Sequence, residues 1–203
     1  MGTVEAPSKP AVRILCGVAL VAGCTLAQQV LLTRLLSAAI YYHFSFLAVS
    51  LALLGSGAGA ILVYVRPGWF DRADAERVMA QWAAAFAALE VVCPILLVRL
   101  DYSYGGTAAH FAVNLGAACL IAAILFIAAG VILILALNSY AAWVGRVYAA
   151  DLAGAGFGAF AIVPLLRVAP APVLMVALGI PAALASALYV KPASQERKAG
   201  LVL

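Results

Sequence analysis

The chain has 203 residues, of which 67% are hydrophobic and only 10% are charged, and its mean hydropathy is +1.13. Soluble domains are about half apolar and about a quarter charged. The composition therefore excludes a soluble enzyme, a disordered chain and a nucleic-acid-binding module, and we expect the chain to have the lipid bilayer as its solvent. The net charge of +4 fits basic residues that anchor loops at a membrane surface.

Six apolar runs, each long enough to cross a bilayer, follow one another along the sequence. A spanning helix needs about 20 apolar residues. The runs are Ile14–Leu32, Phe44–Val65, Val78–Val98, His110–Leu137, Val147–Leu166 and Pro172–Val190. They predict an all-α, polytopic transmembrane bundle of about six spans over residues 14–190, with an N-terminal tail at 1–13 and a basic tail at 191–203. The fourth run must tilt or begin outside the hydrocarbon because it would be about 42 Å long.

Lysine and arginine are shared unevenly between the two ends of the predicted spans. If the spans alternate in direction, nine of these residues fall on the side of the N-terminus and three on the other side. The nine are Lys9, Arg13, Arg66, Arg72, Arg77, Arg146, Lys191, Arg197 and Lys198, and the three are Arg34, Arg99 and Arg167. Cytoplasmic loops carry an excess of Lys and Arg, so we expect both termini in the cytoplasm.

Glu90 is a carboxylate inside the third run. Such a group is costly in hydrocarbon unless it is paired, protonated or facing a wet cavity, and it often marks a functional site. The alternating topology places several other polar residues in the same half of the bilayer, namely Gln28, Gln29, Arg34, His43, His110 and Asn114. This polar cluster is interpreted as an interhelical hydrogen-bond network, with a ligand site or a proton relay as the alternative.

Asp151 lies near the start of the fifth run. We expect a carboxylate there to be stabilised by the positive end of the helix dipole and to pair with Arg146 or another arginine on that side. A catalytic or ligand-binding role is the alternative.

The sequence predicts no cofactor and no metal site. His43 and His110 begin two different spans on one side, where facing histidines could hold a haem, but histidines at a membrane interface are more often hydrogen-bonded anchors. The four cysteines have no CxxC spacing, so neither zinc ligation nor a disulfide framework is indicated.

Two glycine-rich segments predict close helix packing. Gly55 and Gly59 lie in the second run, and Gly154 and Gly158 lie in the fifth. The GxxxG spacing in an apolar helix lets two helix backbones approach closely. We expect these faces to pack against partner helices in the same membrane.

Two segments of the chain resemble one family. The stretch TRLLSAAIYYHFSFLAVSLALLGSGAGAILVY at 33–64 is similar to the first two spans of bacterial spermidine-synthase-like integral membrane proteins, and RVYAADLAGAGFGAFAIVPLL at 146–166 is similar to their YxxDLxGAxxG signature. The motif positions are Arg34, His43, Gly55, Gly59, Tyr148, Asp151, Gly154 and Gly158. Gln29 stands where many relatives have a glutamate, which weakens a proton role at that position.

The resemblance implies a bacterial inner-membrane protein whose relatives include an aminopropyltransferase-like domain. Relatives commonly carry a cytoplasmic domain with a methyltransferase-like fold after the membrane part, and this sequence ends at Leu203 without one. We therefore expect no catalysis by this chain itself, and a cytoplasmic methyltransferase-like protein as a possible partner.

The resulting functional prediction is a membrane scaffold or anchor subunit that packs against other membrane subunits or against copies of itself. One alternative is a transporter or binding module for a small cationic amine, with Glu90 and Asp151 neutralising the ligand. A second alternative is an accessory subunit of an electron-transfer or photosynthetic membrane complex.

Overall fold

The computed structural model describes residues 9–40, 45–70, 74–102 and 107–190. This part of the chain contains helices and no strand. The helices are α1 (Val12–Ala39), α2 (Ser45–Val65), α3 (Ala75–Arg99), α4 (Ala108–Ser139), α5 (Val144–Leu165), α6 (Ala171–Ala177) and α7 (Gly179–Tyr189). The predicted all-α bundle is confirmed. His43, most of the predicted N-terminal tail and the whole basic tail at 191–203 lie outside the described residues.

Six stretches of helix are long and apolar enough to cross a membrane, within the part of the chain that the structure describes. α1 to α5 supply five of them. α6 and α7 lie end to end and supply the sixth, Ala171–Tyr189. The chain is a multi-pass membrane protein.

The first helix is seven residues longer at its C-terminal end than the apolar run predicts, because it continues through the polar segment after Leu32 to Ala39. Two hydroxyl side chains in this segment bond back into the helix: Thr33 Oγ1 donates to the Gln29 carbonyl at 2.9 Å and Ser37 Oγ to the Thr33 carbonyl at 2.7 Å. This i to i−4 pattern satisfies both hydroxyl groups without leaving the helix.

α4 is the longest helix. Its 32 residues correspond to a length of about 48 Å, which exceeds the hydrocarbon thickness of about 30 Å. None of the residues from Ala108 to Ala117 is buried, whereas Ala118 and most of the second half of the helix belong to the core. The first turns of α4 are therefore less buried than its second half, although Phe111 and Leu115 still pack against the core.

The sixth span is interrupted at Leu178, between α6 and α7. Pro181 follows three residues later, and because proline has no N–H, the carbonyl of Ala177 loses its usual helical partner. Gly179 lies against α3 at this break, with Val91 and the Ala87 carbonyl next to the place that a side chain would occupy. The absence of a side chain at Gly179 lets the span pack closely on α3.

α1 is the central helix of the bundle. It packs against α2, α4, α5, α6 and α7, whereas α5 packs almost entirely on α1 and touches α4 only slightly. α3 packs between α4 and the sixth span. Burial follows this arrangement: half of the most apolar stretch of α1 is inside the bundle but only 11% of that of the fifth span.

The helices alternate in direction, so each end of the bundle collects a distinct set of basic residues. We call the end with Lys9, Arg13, Arg66, Arg77 and Arg146 the basic end, and the end with Arg34, Arg99 and Arg167 the opposite end. Contacts between helix termini fix this grouping. The ammonium of Lys9 lies 5.9 Å from the Trp143 ring centre, Arg13 bonds to the last carbonyls of the sixth span, and Arg34 and Arg167 line one pocket.

Candidate functional site

Glu90 is completely buried in the middle of the bundle, on the face of α3 that also carries Phe86 and Cys93. Neither of its carboxylate oxygens has a hydrogen-bond partner among the described residues. Buried polar atoms are almost always hydrogen-bonded, and an uncompensated carboxylate inside a membrane is costly. This unsatisfied group is the strongest indication of a site in the molecule.

α1 contributes a second unsatisfied acceptor to the same region. Gln28 is only 2% exposed, and its Oε1 has no partner in the described structure. Cys24, one turn earlier on α1, and Cys93 on α3 both lie within electrostatic range of the Glu90 carboxylate. We call Glu90, Gln28, Cys24 and Cys93 the Glu90 site.

A small void lies beside two residues of the Glu90 site. Gln28 and Cys93 border a void of about 10 Å³, which is about the minimum that holds one water molecule. A single water molecule fits this void, which Glu90 itself does not line. Cys24 borders a separate, open pocket of about 650 Å³ between α1, α5 and the sixth span. The walls of the void are otherwise apolar and come from α1, α3 and α4, namely Leu32, Leu97, Ala122, Leu125 and Phe126.

Gln29 and Arg34, the other α1 candidates, lie away from the Glu90 site. Gln29 is half-buried next to Gln28 in sequence, and its backbone carbonyl accepts the Thr33 hydroxyl. Arg34 is exposed at the opposite end. His43 is outside the described residues. Of the two adjacent glutamines, the structure therefore places Gln28, and not Gln29, in the buried region that contains Cys93.

The polar residues predicted to form one cluster lie in separate groups. His110 and Asn114 form one group at the start of α4, away from the buried Gln28. His110 Nε2 lies 3.0 Å from Asn114 Nδ2 and 3.6 Å from the Asp101 carboxylate, on the exposed first turns of α4. Ala122, which borders the void beside Gln28, is about 18 Å further along the helix. The extra length of α4 carries His110 and Asn114 away from Glu90.

Asp151 is not in the surroundings that its sequence position suggests. α5 begins at Val144 and has no acidic residue in its first turn, and the stabilising effect of the helix dipole falls off within that turn. Arg146, the expected partner, stacks on Trp143 at 5.1 Å, and no ion pair joins it to Asp151 in the described residues. Asp151 is half-buried on the peripheral helix.

The four motif glycines pack inside the chain. A side chain at Gly55 or Gly59 would meet the backbone of α4 between Ala123 and Val131, and one at Gly154 or Gly158 would meet the α1 backbone at Ala19 and Gly23. These are backbone-to-backbone contacts of the kind that GxxxG spacing permits. The expectation that these glycine faces bind partner helices is corrected: helices of the same chain cover them.

A polar cluster at the basic end was not predicted. Arg13 donates to Glu76 Oε2 at 2.5 Å, and the Tyr140 hydroxyl donates to Glu76 Oε1 at 3.0 Å. Arg13 also donates to the carbonyls of Leu188 and Tyr189 at 3.0 and 3.2 Å, where a cation is favoured at a helix C-terminus. We call Arg13, Glu76 and Tyr140 the terminal cluster, which links α1, α3, the end of α4 and α7.

The environment of Tyr140 keeps its hydroxyl protonated. Burial, followed by the charge and the hydrogen bond of Glu76, raises the pKa of Tyr140 to about 12 from an ordinary value of 10.0. Tyr140 therefore donates to Glu76 throughout the physiological pH range. The residues of the terminal cluster are more than sixty positions apart in sequence, and the only signal for them is the mixture of acids and bases between the second and third runs.

Comparison of the chain with protein-family models, with curated proteins and with solved structures found no match. The resemblance to spermidine-synthase-like membrane proteins therefore rests on the segments at 33–64 and 146–166 alone.

Proposed function

We propose that this protein is a scaffold or anchor subunit of a membrane complex, and that a partner helix packs on the outer side of α5. The outer side of α5 consists of its exposed residues, among them Tyr148, Leu152, Phe157 and Phe160. Because the glycine faces are occupied within the chain, α5 is the helix with the largest share of its length left for a partner.

The observation that carries this proposal is the half-buried carboxylate of Asp151. An exposed apolar side chain on a membrane helix is satisfied by lipid, so Phe157 and Phe160 need no protein partner. A carboxylate is different, because lipid tails offer no hydrogen-bond donor. Asp151 lies about 12 Å along the helix from Trp143, a residue type that favours the membrane interface, and a donor from a neighbouring subunit would offset its cost.

The positive-inside bias supports a cytoplasmic location for the basic end and for both termini. The family resemblance supports the bacterial inner membrane, and a cytoplasmic methyltransferase-like protein as one candidate partner. In this proposal the chain performs no catalysis of its own and holds other proteins at the membrane.

Purification in a mild detergent, followed by light scattering and mass spectrometry, tests the proposal. We expect a stoichiometric membrane partner or a homo-oligomer with the wild-type chain, and loss of that association in Asp151→Asn. Asp101→Asn, which changes an exposed carboxylate at the opposite end, is the matched control and keeps the association. A wild-type chain that is a clean monomer without copurifying protein contradicts the proposal.

A second candidate function is proton binding at the Glu90 site, which the unsatisfied carboxylate favours. A proton needs no cavity beside the carboxylate, and the void next to Gln28 and Cys93, of about 10 Å³, holds at most one water molecule. We expect vesicles containing the wild-type protein to show proton movement that Glu90→Gln abolishes and Asp101→Asn preserves. Amine uptake that depends on Glu90 and Asp151 would instead support the amine transporter.

A further inference from the structure

Two arginines lie together at the opposite end, in a pocket between the second half of α1 and the end of α5. The pocket has a volume of about 420 Å³ and is lined by Arg34 and Arg167 together with Val30, Val163 and Leu166. Both arginines are exposed to the surroundings of the protein. One wall of this pocket is therefore cationic and the rest is apolar.

Neither arginine is neutralised by an acidic residue in the described structure. The ion pairs there involve Arg13, Arg77 and His110. Two like charges at one site repel each other, and a bound anion would offset this repulsion between Arg34 and Arg167.

The helix terminus explains one of the two charges. Arg167 lies two residues after Leu165, the last residue of α5, and its backbone N–H bonds to the Pro164 carbonyl. A cation is favourable at this negative end of the helix. Arg34 lies five residues before the end of α1, outside the last turn, so the dipole does not account for its place beside Arg167.

We propose that Arg34 and Arg167 together bind a phosphate group at the membrane surface. Guanidinium groups match phosphate with paired hydrogen bonds, and basic pockets between membrane helices take lipid headgroups. The apolar wall formed by Val30, Val163 and Leu166 suits the acyl chains of an anionic phospholipid. Free inorganic phosphate has the same headgroup chemistry and is the other source.

Native mass spectrometry after reconstitution with mixed phosphatidylglycerol and phosphatidylcholine tests the proposal. We expect the wild-type protein to retain phosphatidylglycerol selectively, and Arg34→Gln/Arg167→Gln to lose about 30-fold in its affinity, from roughly fivefold for each arginine near a membrane surface. Arg99→Gln is the matched control. Arg99 lies at the same end, in a separate groove with Val98 and Val173 and no second cation, and we expect its variant to retain the lipid.

Two further arms keep the test decisive. Arg167→Glu replaces the repulsion by an ion pair with Arg34 but also loses the favourable cation at the end of α5, so we expect loss of the lipid with a melting temperature close to that of the wild type. Inorganic phosphate that binds the wild type but not the double variant, with no selective retention of lipid, assigns the site to free phosphate. Equal lipid retention by the wild type and the double variant, or equal loss in Arg99→Gln, overturns the proposal.

Discussion

Helix α3 carries two glutamates with opposite surroundings. Glu76 lies at the basic end, where Arg13 and Tyr140 bond to its two oxygens. Glu90 lies in the middle of the same helix, fully buried, and neither of its oxygens has a partner in the described residues. The two side chains have the same chemistry, and only the helices packed around them differ.

This difference in hydrogen bonding suggests that Glu76 has a structural role and that Glu90 is a candidate for a functional role. A satisfied charge that joins four helix ends has a sufficient explanation in the stability of the bundle. A buried carboxylate without a donor lowers stability, so its presence is explained only by what it binds. The predictions below test this division by measuring unfolding in detergent micelles.

The largest effect is expected for Arg13→Gln. This change removes the charge-assisted bond to Glu76 and the bonds to the last carbonyls of α7, and we expect the free energy of unfolding to fall by about 3 kcal/mol. The matched control is Arg77→Gln, because Arg77 and Asp74 are 4.0 Å apart and exposed and such pairs contribute about 0.5 kcal/mol or less. Equal losses in the two variants would show that the terminal cluster does not stabilise the bundle.

Glu90→Leu is expected to act in the opposite direction. Leucine has a similar size and needs no hydrogen-bond donor, so we expect the free energy of unfolding to rise by about 2 kcal/mol. Proton movement or ligand binding should be lost in the same variant. A destabilised Glu90→Leu protein would mean that the carboxylate has a structural partner, and the contrast with Glu76 would fail.

Two tyrosine hydroxyls differ in the same way as the two glutamates, one having a hydrogen-bond partner and the other none, and we expect smaller effects on stability. Tyr140 donates to Glu76, whereas the hydroxyl of Tyr189 is buried without a partner in the described structure. We expect Tyr140→Phe to lose about 1 kcal/mol and Tyr189→Phe to lose nothing or to gain. The comparison of the two melting temperatures in one detergent checks this, and a greater loss in Tyr189→Phe contradicts it.

The smallest effect near neutral pH is the titration of Tyr140. Its pKa is raised to about 12 from 10.0, so the folded state holds this proton more tightly than the unfolded state does. The resulting stabilisation is fully present below about pH 10 and is lost as the pH rises through 12. The difference in melting temperature between the wild type and Tyr140→Phe should be constant from pH 7 to 10 and then shrink. A difference that changes below pH 9 would rule out Tyr140 as its source.

The sequence predicts the membrane-spanning helices of this molecule well, but it predicts poorly which helices pack against one another. Apolar length alone indicates six crossings, since each run must cover the hydrocarbon, and the isolated charge at Glu90 is visible within such a run. The helical extension to Ala39 was missed because Thr33 and Ser37 are polar, although each lies four residues after a carbonyl that it can bond.

Side-chain partners are set by which helices pack together, and hydropathy does not encode that. Arg13 bonds to Glu76, and Arg34 lines one pocket with Arg167, because α1 lies at the centre of the bundle. The same fact accounts for the glycine result: GxxxG spacing predicts a close contact but does not say whether the second helix belongs to the same chain. The sequence predicts that the helix dipole and an arginine stabilise Asp151. In the structure α5 begins at Val144, so Asp151 lies beyond the first turn, and Arg146 stacks on Trp143 instead.

The central position of α1 has a consequence for biogenesis. α1 leaves the ribosome before α5, and Ala19 and Gly23 contact Gly154 and Gly158 of α5 only after about 130 more residues have been made. This takes on the order of ten seconds at 5–20 residues per second. During that interval lipid or an insertion factor must cover the face of α1 that carries Ala19 and Gly23. The contacts of the central helix α1 with α5, α6 and α7 are therefore among the last to form in the bundle.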